Sequence, residues 1–192
     1  MITQLEIKLK YQSEEKLNYN ISSVMHGILM GHIDRAYGER MHEDGLKPFV
    51  QEVCNIKEDE FTWRICTMTE EAKIQIIEPL MKMDQFYMKH RELRLKVCER
   101  NLKEISYDTL IENYYFEEQP RNITIKFCSP TAFKSQGNYI FMPTIRLIIS
   151  KLEYINMITF SSGTMVGSEE TLEHIERYVM ITRYHLRSVN FR

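Results

Sequence analysis

The side chains best suited to moving protons near neutral pH are the six histidines of this 192-residue chain, since imidazole ordinarily titrates near ~6.5. One has a chemically useful companion. His42 is followed five residues later by Lys47, in the stretch His42-Glu-Asp-Gly-Leu-Lys47-Pro48. Histidine can take or give a proton, and lysine is a fixed cation able to neutralise charge that develops during a reaction. Gly45 and Pro48 would shape the turn between them. By spacing alone, a histidine in a charged loop is usually a surface residue. His26 and His32 lie six residues apart on a predicted helix, so they point roughly 240° apart and cannot hold one metal from one face. His26 shares a face with Met30 and is a candidate to line a cleft; His32 reads as structural, and His90 and His174 have no supporting context.

Other chemistries find no signature. Gly163-Thr-Met-Val-Gly-Ser168 has the wrong spacing and no lysine for a phosphate-binding loop. There is no Gly-x-Ser-x-Gly elbow, no Gly-x-Gly-x-x-Gly and no metal-ligand spacing of Cys and His, so neither cofactor nor metal is expected. Cys54, Cys66, Cys98 and Cys128 are widely spaced and read as small, reduced core residues.

Hydrophobic residues are 43% and charged residues 27% of the chain, which excludes a disordered or membrane-embedded protein. The uncharged stretch Leu17–Ile33 contains two histidines and four Asn or Ser, too polar to span a bilayer. No signal peptide opens the chain, so a cytoplasmic protein is expected and the sequons at Asn20 and Asn122 are chance matches. Net charge is −2, yet Arg121–Leu152 carries five basic residues and Arg177–Arg192 four arginines, with no acid in either. Acids gather instead in Glu99–Glu118 and Ser168–Glu176. Such a distribution is compatible with a basic face for a polyanion and equally with ordinary fluctuation of charge along a chain.

Leu5, Ile7 and Leu9 alternate with charged residues as in a half-buried strand, and Ile21, Val24, Met25, Ile28, Leu29 and Ile33 recur at helical spacing up to about Asp34. Gly27 and Gly31, one turn apart, are expected to mark a close helix–sheet approach. A polar loop holding Gly38 and Gly45 leads to a strand over Phe49–Ile56, a turn at Lys57–Glu60 and a strand through Phe61, Trp63 and Ile65. Thr69 caps a helix with stripe Ala72, Ile76 and Leu80 and with Pro79 disturbing its last turn. Leu93, Leu95 and Val97 make a fourth strand. The order β-α-β-β-α-β is ferredoxin-like and occupies residues 1–100. Residues 101–120 read as a linker with a short helix from Asp108. Residues 121–192 begin a second such domain, with a strand at Ile123–Phe127, a hairpin in Ala132–Phe141, a helix after Pro143, a helix capped by Ser168 and a long strand over Val179–Phe191. The expected class is α+β with tandem ferredoxin-like, RRM-like domains, the second incomplete at its C-terminus.

Met25-His-Gly-Ile-Leu-Met30, His42-Glu-Asp-Gly-Leu-Lys-Pro-Phe49, Thr62-Trp-Arg-Ile65 and Phe127-Cys-Ser-Pro-Thr-Ala-Phe-Lys134, with Tyr139 and Pro143 beyond, resemble in order the CRISPR repeat-processing endoribonucleases of the RAMP superfamily. The resemblance implies metal-independent cleavage of CRISPR repeat RNA, leaving 2′,3′-cyclic phosphate and 5′-hydroxyl ends, with the guide RNA passing to an interference complex. It places His42 in the family's histidine slot and Lys47 in its lysine slot. Met30 stands where some members carry a tyrosine, and no glycine-rich phosphate-gripping loop precedes Arg192. With His26 as a further candidate, the catalytic set is His42, Lys47 and His26. For RNA contact the best cations are Lys126, Lys134, Arg146, Arg183 and Arg187; Arg183, His185 and Arg187 would project from one strand face. The alternative is a non-catalytic RNA-binding or scaffold protein of the same superfamily. A half-built second domain is expected either to continue beyond Arg192 or to form a homodimer.

Overall fold

The computed structural model describes residues 1–14, 16–43, 47–127, 131–149 and 169–187. It divides into two compact units, Met1–Ser129 and Pro130–Arg192. The first is built on strands β1 (Ile2–Lys10), β2 (Phe49–Cys54), β3 (Glu60–Thr67), β4 (Gln85–Met88) and β5 (Leu93–Ile105), in the antiparallel order β2-β3-β1-β5-β4. Helix α1 (Ile21–His32) joins β1 to β2, and a helix beginning at Glu70 follows β3. Without β4 this is the split βαβ arrangement expected of the first domain.

Period-2 alternation makes one sheet face. Leu5, Ile7, Leu9, Val53, Phe61, Trp63, Ile65 and Leu95 are buried there against Met25 and Leu29 of α1 and Ile76 and Leu80 of the second helix. Trp63 is fully buried, its ring edge-on to Phe86 at 5.4 Å. The indole N–H needs an acceptor in that setting. It finds Gln51 Oε1 at 2.8 Å, and the Gln51 amide donates in turn to the Ser22 carbonyl at 3.0 Å and the Ser22 hydroxyl at 3.2 Å. A polar chain through the core thus ties β3 and β2 to the first turn of α1. On the opposite face Arg64 donates to Glu6 at 2.7 Å and also pairs with Glu52.

Several expectations are corrected. The supposed polar loop after α1 contains a second helix, α2 (Arg35–His42), because Asp34 accepts the Tyr37 N–H at 3.0 Å as its N-cap and Tyr37 buries its ring. Gly27 and Gly31 meet nothing within 4 Å, so neither marks a close approach. The helix after β3 is capped by Thr69, which accepts the Ala72 N–H at 3.1 Å. It is α-helical over Glu70–Ala72, widens to a π-helical turn over Lys73–Ile77 and closes over Glu78–Met81. The widening precedes Pro79, which lacks the N–H an α-helical turn would require there. The fourth predicted strand is β5, longer than expected, and β4 adds a hairpin at the sheet edge. Cys54 is buried and Cys66 half-buried, but Cys98 is exposed, contrary to a core role; Cys128 lies outside the described residues.

Ser106 caps a short helix over Tyr107–Ile111 that continues as a π-helical turn over Glu112–Phe116. The expected strand at Ile123–Phe127 is described without a strand ladder, and Ile123 is 83% exposed. Alternation gives a segment one apolar side but does not supply the partner whose hydrogen bonds make it a strand.

In the second unit β6 (Phe133–Ser135) and β7 (Asn138–Ile140) form the expected hairpin, turning at Gln136 and Gly137, whose φ values are 49° and 81°. Helices occupy 145–149 and Glu169–Tyr178, while 179–187 carries no strand. The predicted strand at Val179–Phe191 is therefore absent from the described part of that range, and so is the single face that alternation suggested for Arg183, His185 and Arg187. The Ser168 cap lies outside the described residues.

Replacing Gln51 by leucine leaves the buried Trp63 N–H without its acceptor. It should lower unfolding free energy by about 1–3 kcal/mol in urea titrations, whereas an unchanged midpoint would show that the network contributes nothing to stability.

Candidate active site

The buried stripe of α1, Ile21, Met25 and Leu29, leaves His26 at the boundary of the core. Its ring lies nearly parallel to that of Phe49, the first residue of β2, with centroids 6.0 Å apart. Half-burial and the charge of His42, in that order, push the His26 pKa below its ordinary value of 6.5. Two histidines distant in sequence are therefore electrostatic neighbours.

His42 reaches that position through α2. The helix has little apolar surface and is too short to be stable alone. Tyr37 anchors it in the core, Arg35 pairs with Glu39 at 3.0 Å one turn on, and Arg40 pairs with Glu71 in the first turn of the helix after β3. The Arg40 guanidinium also sits 5.1 Å over the Tyr37 ring. The Glu43 N–H closes the helix on the Arg40 carbonyl at 3.3 Å. The Lys47 ammonium then donates to the Glu43 carbonyl, holding the lysine beside the end of α2; residues 44–46 lie outside the described residues.

Met30, Gly31, Ile33, Arg35, Gly38, Glu39 and exposed His42 line a shallow cleft of about 300 Å³ between α1 and α2. Gly31 leaves room in it, since a Cβ there would meet nothing within 4 Å. A larger depression of about 450 Å³, lined by Lys8, Asn55, Ile56, Lys57, Glu60, Phe61 and Thr62, holds no histidine. Its carboxylate, Glu60, is engaged by Lys57 at 2.6 Å and Lys8 at 3.3 Å, so the α1–α2 cleft is the better candidate for proton transfer. Arg35 belongs to this cleft but was hidden while 35–42 read as loop; the Asp34 cap and the Arg35–Glu39 spacing were the available signals.

The remaining predicted cations are differently placed. Lys126 is exposed in the extended stretch before residue 128. Lys134 stands opposite Tyr139 on the hairpin, its ammonium 4.5 Å above a ring that is 71% exposed. Arg146 is committed to Glu169 and Glu176, each at 2.7 Å, and these hydrogen bonds hold its pKa above the ordinary arginine value. Its charge is thus already neutralised within its own unit. Arg183 and Arg187 are exposed outside any strand. His32 is exposed, its ring tilted beside that of Phe86 with centroids 6.0 Å apart. No described helix is long and apolar enough to cross a membrane.

No family model matches the chain. It is 28% identical over 169 residues to a Streptococcus thermophilus protein named CRISPR-associated endoribonuclease Cas6, covering 87% of this chain and 68% of that protein. It is also 28% identical over 148 residues to proteins of the same name from Mycobacterium tuberculosis strains CDC 1551 / Oshkosh and ATCC 25618 / H37Rv, covering 76% of this chain. The chain spans 45%, less than half, of the length of those two relatives. Among solved structures, one titled "An RAMP protein binding different RNA substrates" aligns with TM-score 0.48 and 14% identity over 84% of this chain and 71% of its own. Another, titled "CRISPR associated protein Cas6", aligns with TM-score 0.37 and 14% identity over 56% of this chain and 51% of its own. By sequence, the chain is similar to proteins named CRISPR-associated endoribonuclease Cas6.

Proposed function

We propose that this chain cleaves CRISPR repeat RNA beside the α1–α2 cleft, with His42, which lines it, and His26 and Lys47, which do not, as its catalytic residues. The observation that supports the reading is a half-buried histidine whose protonation is disfavoured by burial and by the charge of His42, with His42 exposed at the end of α2 and the Lys47 ammonium on the Glu43 carbonyl one residue further on. His26, neutral at neutral pH, takes the proton of the ribose 2′-OH as the oxygen attacks phosphorus. The phosphorus–O5′ bond breaks, and O5′ receives a proton from the imidazolium of His42. Lys47 leaves the Glu43 carbonyl to balance the charge on the phosphorane. The products carry 2′,3′-cyclic phosphate and 5′-hydroxyl ends, and the released guide passes to an interference complex. This chemistry runs on side chains alone.

A second reading, a non-catalytic RNA-binding or scaffold protein of the same superfamily, is favoured by Met30, which lines the cleft where some family members carry a tyrosine. Incubation with cognate repeat RNA in EDTA separates the two. A single discrete cut with the stated ends is expected; binding without cleavage would select the scaffold, and a rate lost in EDTA but restored by Mg²⁺ would overturn the mechanism.

Three results should follow. His42→Ala should slow single-turnover cleavage by on the order of 10²–10⁴ with RNA affinity retained, and near wild-type activity would move the role elsewhere. Lys47→Ala should cost about 10²–10³; an unchanged rate would reduce Lys47 to a loop residue. The imidazole C–H resonance of His26 should titrate with a midpoint below 6.5, and His42→Ala should raise that midpoint by removing a like charge. The sign for stability follows. The unfolded chain takes up this proton first as pH falls, so the contribution of His26 is complete above 6.5 and declines as pH drops through the folded midpoint. A midpoint at or above 6.5 would contradict the buried neutral base.

A further inference from the structure

The edge added by β4 gathers cations on its exposed face. In β4 and the start of β5, Phe86, Met88, Leu93 and Leu95 are buried, while Gln85, Tyr87, Arg94 and Lys96 are exposed on the opposite face. Register sets Tyr87 against Arg94, Gln85 against Lys96, and Lys96 against Lys10 of β1. Two lysines directly opposite on adjacent strands repel one another, which a sheet ordinarily avoids. Among the described residues no ion pair relieves Lys10, Arg94 or Lys96. The acid beside Lys10 on β3, Glu60, is engaged by Lys8 and Lys57. The hairpin tip adds exposed Lys89, His90 and Arg91, with Glu92, at φ 50°, as its one acid.

We propose that this face of the β4–β5 edge binds single-stranded RNA, with Lys10, Arg94 and Lys96 on phosphates and Tyr87, 47% exposed, stacking on a base. The proposal extends the RNA-processing reading above and rests on it for the identity of the polyanion. Cations at alternate positions of one strand recur about every 6.6 Å, tracking a backbone while an aromatic side chain takes a base plane without demanding a sequence. A ligand of opposite charge would relieve the repulsion between Lys10 and Lys96. Sequence charge alone concealed the site, since Asp84 and Glu92 interleave with these cations along the chain, while Glu99 stands opposite Lys8 on the same side of the sheet as Lys10.

The test is fluorescence anisotropy with a labelled, mixed-sequence single-stranded RNA of 30 nucleotides (~30, a few OB-fold site sizes), run from low to high salt on the full chain. Lys10→Gln/Arg94→Gln/Lys96→Gln should weaken binding about tenfold or more at 0.1 M salt. It should also make the slope of log affinity against log salt shallower by about 2, as expected for three lost phosphate contacts on a single strand. Tyr87→Ala should weaken binding by roughly five- to tenfold while Tyr87→Phe stays near wild type. Unchanged affinity and slope in the triple variant, together with Tyr87→Ala equal to wild type, would overturn the site while leaving cleavage by the wild type intact. Binding lost in the variants of a protein that cuts no repeat RNA would uphold the site and refute the cleavage reading. A wild type that binds labelled poly-glutamate but not RNA would overturn both.

Discussion

The candidate site depends on where α1 lies across the sheet, and one half-buried amide at the edge of the core fixes that. Gln51 accepts the indole N–H of fully buried Trp63 and donates to Ser22 in the first turn of α1. Apolar packing of Ile21, Met25 and Leu29 would hold α1 against the sheet in several nearly equivalent positions. A hydrogen-bonded chain that must be satisfied inside the core selects one of them. With the first turn pinned, His26 falls over Phe49, and the end of the helix delivers the chain to Asp34 and α2. The histidine pair is thus a consequence of core chemistry on the far side of α1 from the cleft.

The second constraint is that α2 is borrowed rather than self-sufficient. Eight residues with Tyr37 and Gly38 as its buried members cannot persist without the Asp34 cap, the Tyr37 anchor and the Arg40–Glu71 link. These contacts commit the body of the helix and leave His42 exposed at its end, beside the Lys47 ammonium on the Glu43 carbonyl. An exposed histidine whose charge acts on a half-buried one, with a lysine ammonium beside it, suits the proposed proton transfer followed by charge neutralisation. The same economy governs the β4–β5 edge, where the pleat sorts Arg94 and Lys96 from Leu93 and Leu95 and sets the two cations on the exposed face.

Much of the first unit was legible because its signals are local. Alternation in Leu5, Ile7 and Leu9, the Thr69 cap and the stripe on α1 each specify an element without reference to distant residues. Helix α2 was not legible because it presents no apolar period; its stability comes from a cap and from Glu71, more than thirty residues away. β4 is only four residues long and flanked by charges, so it exists by pairing with β5. The opposite error occurred at Ile123–Phe127 and after Val179, where alternation implied strands that the described residues do not form. In the site, His42 and Lys47 were readable as a pair and His26 as a neighbour of Met30. The influence of the His42 charge on His26 was not, since it depends on helix α2, which sequence did not reveal. Nor did sequence reveal that Arg146 is spent on Glu169 and Glu176.

The central claim is that His26 and His42 act as one unit on one scissile phosphate. A double-mutant cycle on single-turnover cleavage of repeat RNA, with His26→Ala, His42→Ala and the pair combined, addresses it most directly. Residues acting together are strongly non-additive, so the combined variant should be little slower than the worse of the two single variants. Losses that multiply would show two independent contributions and contradict the account.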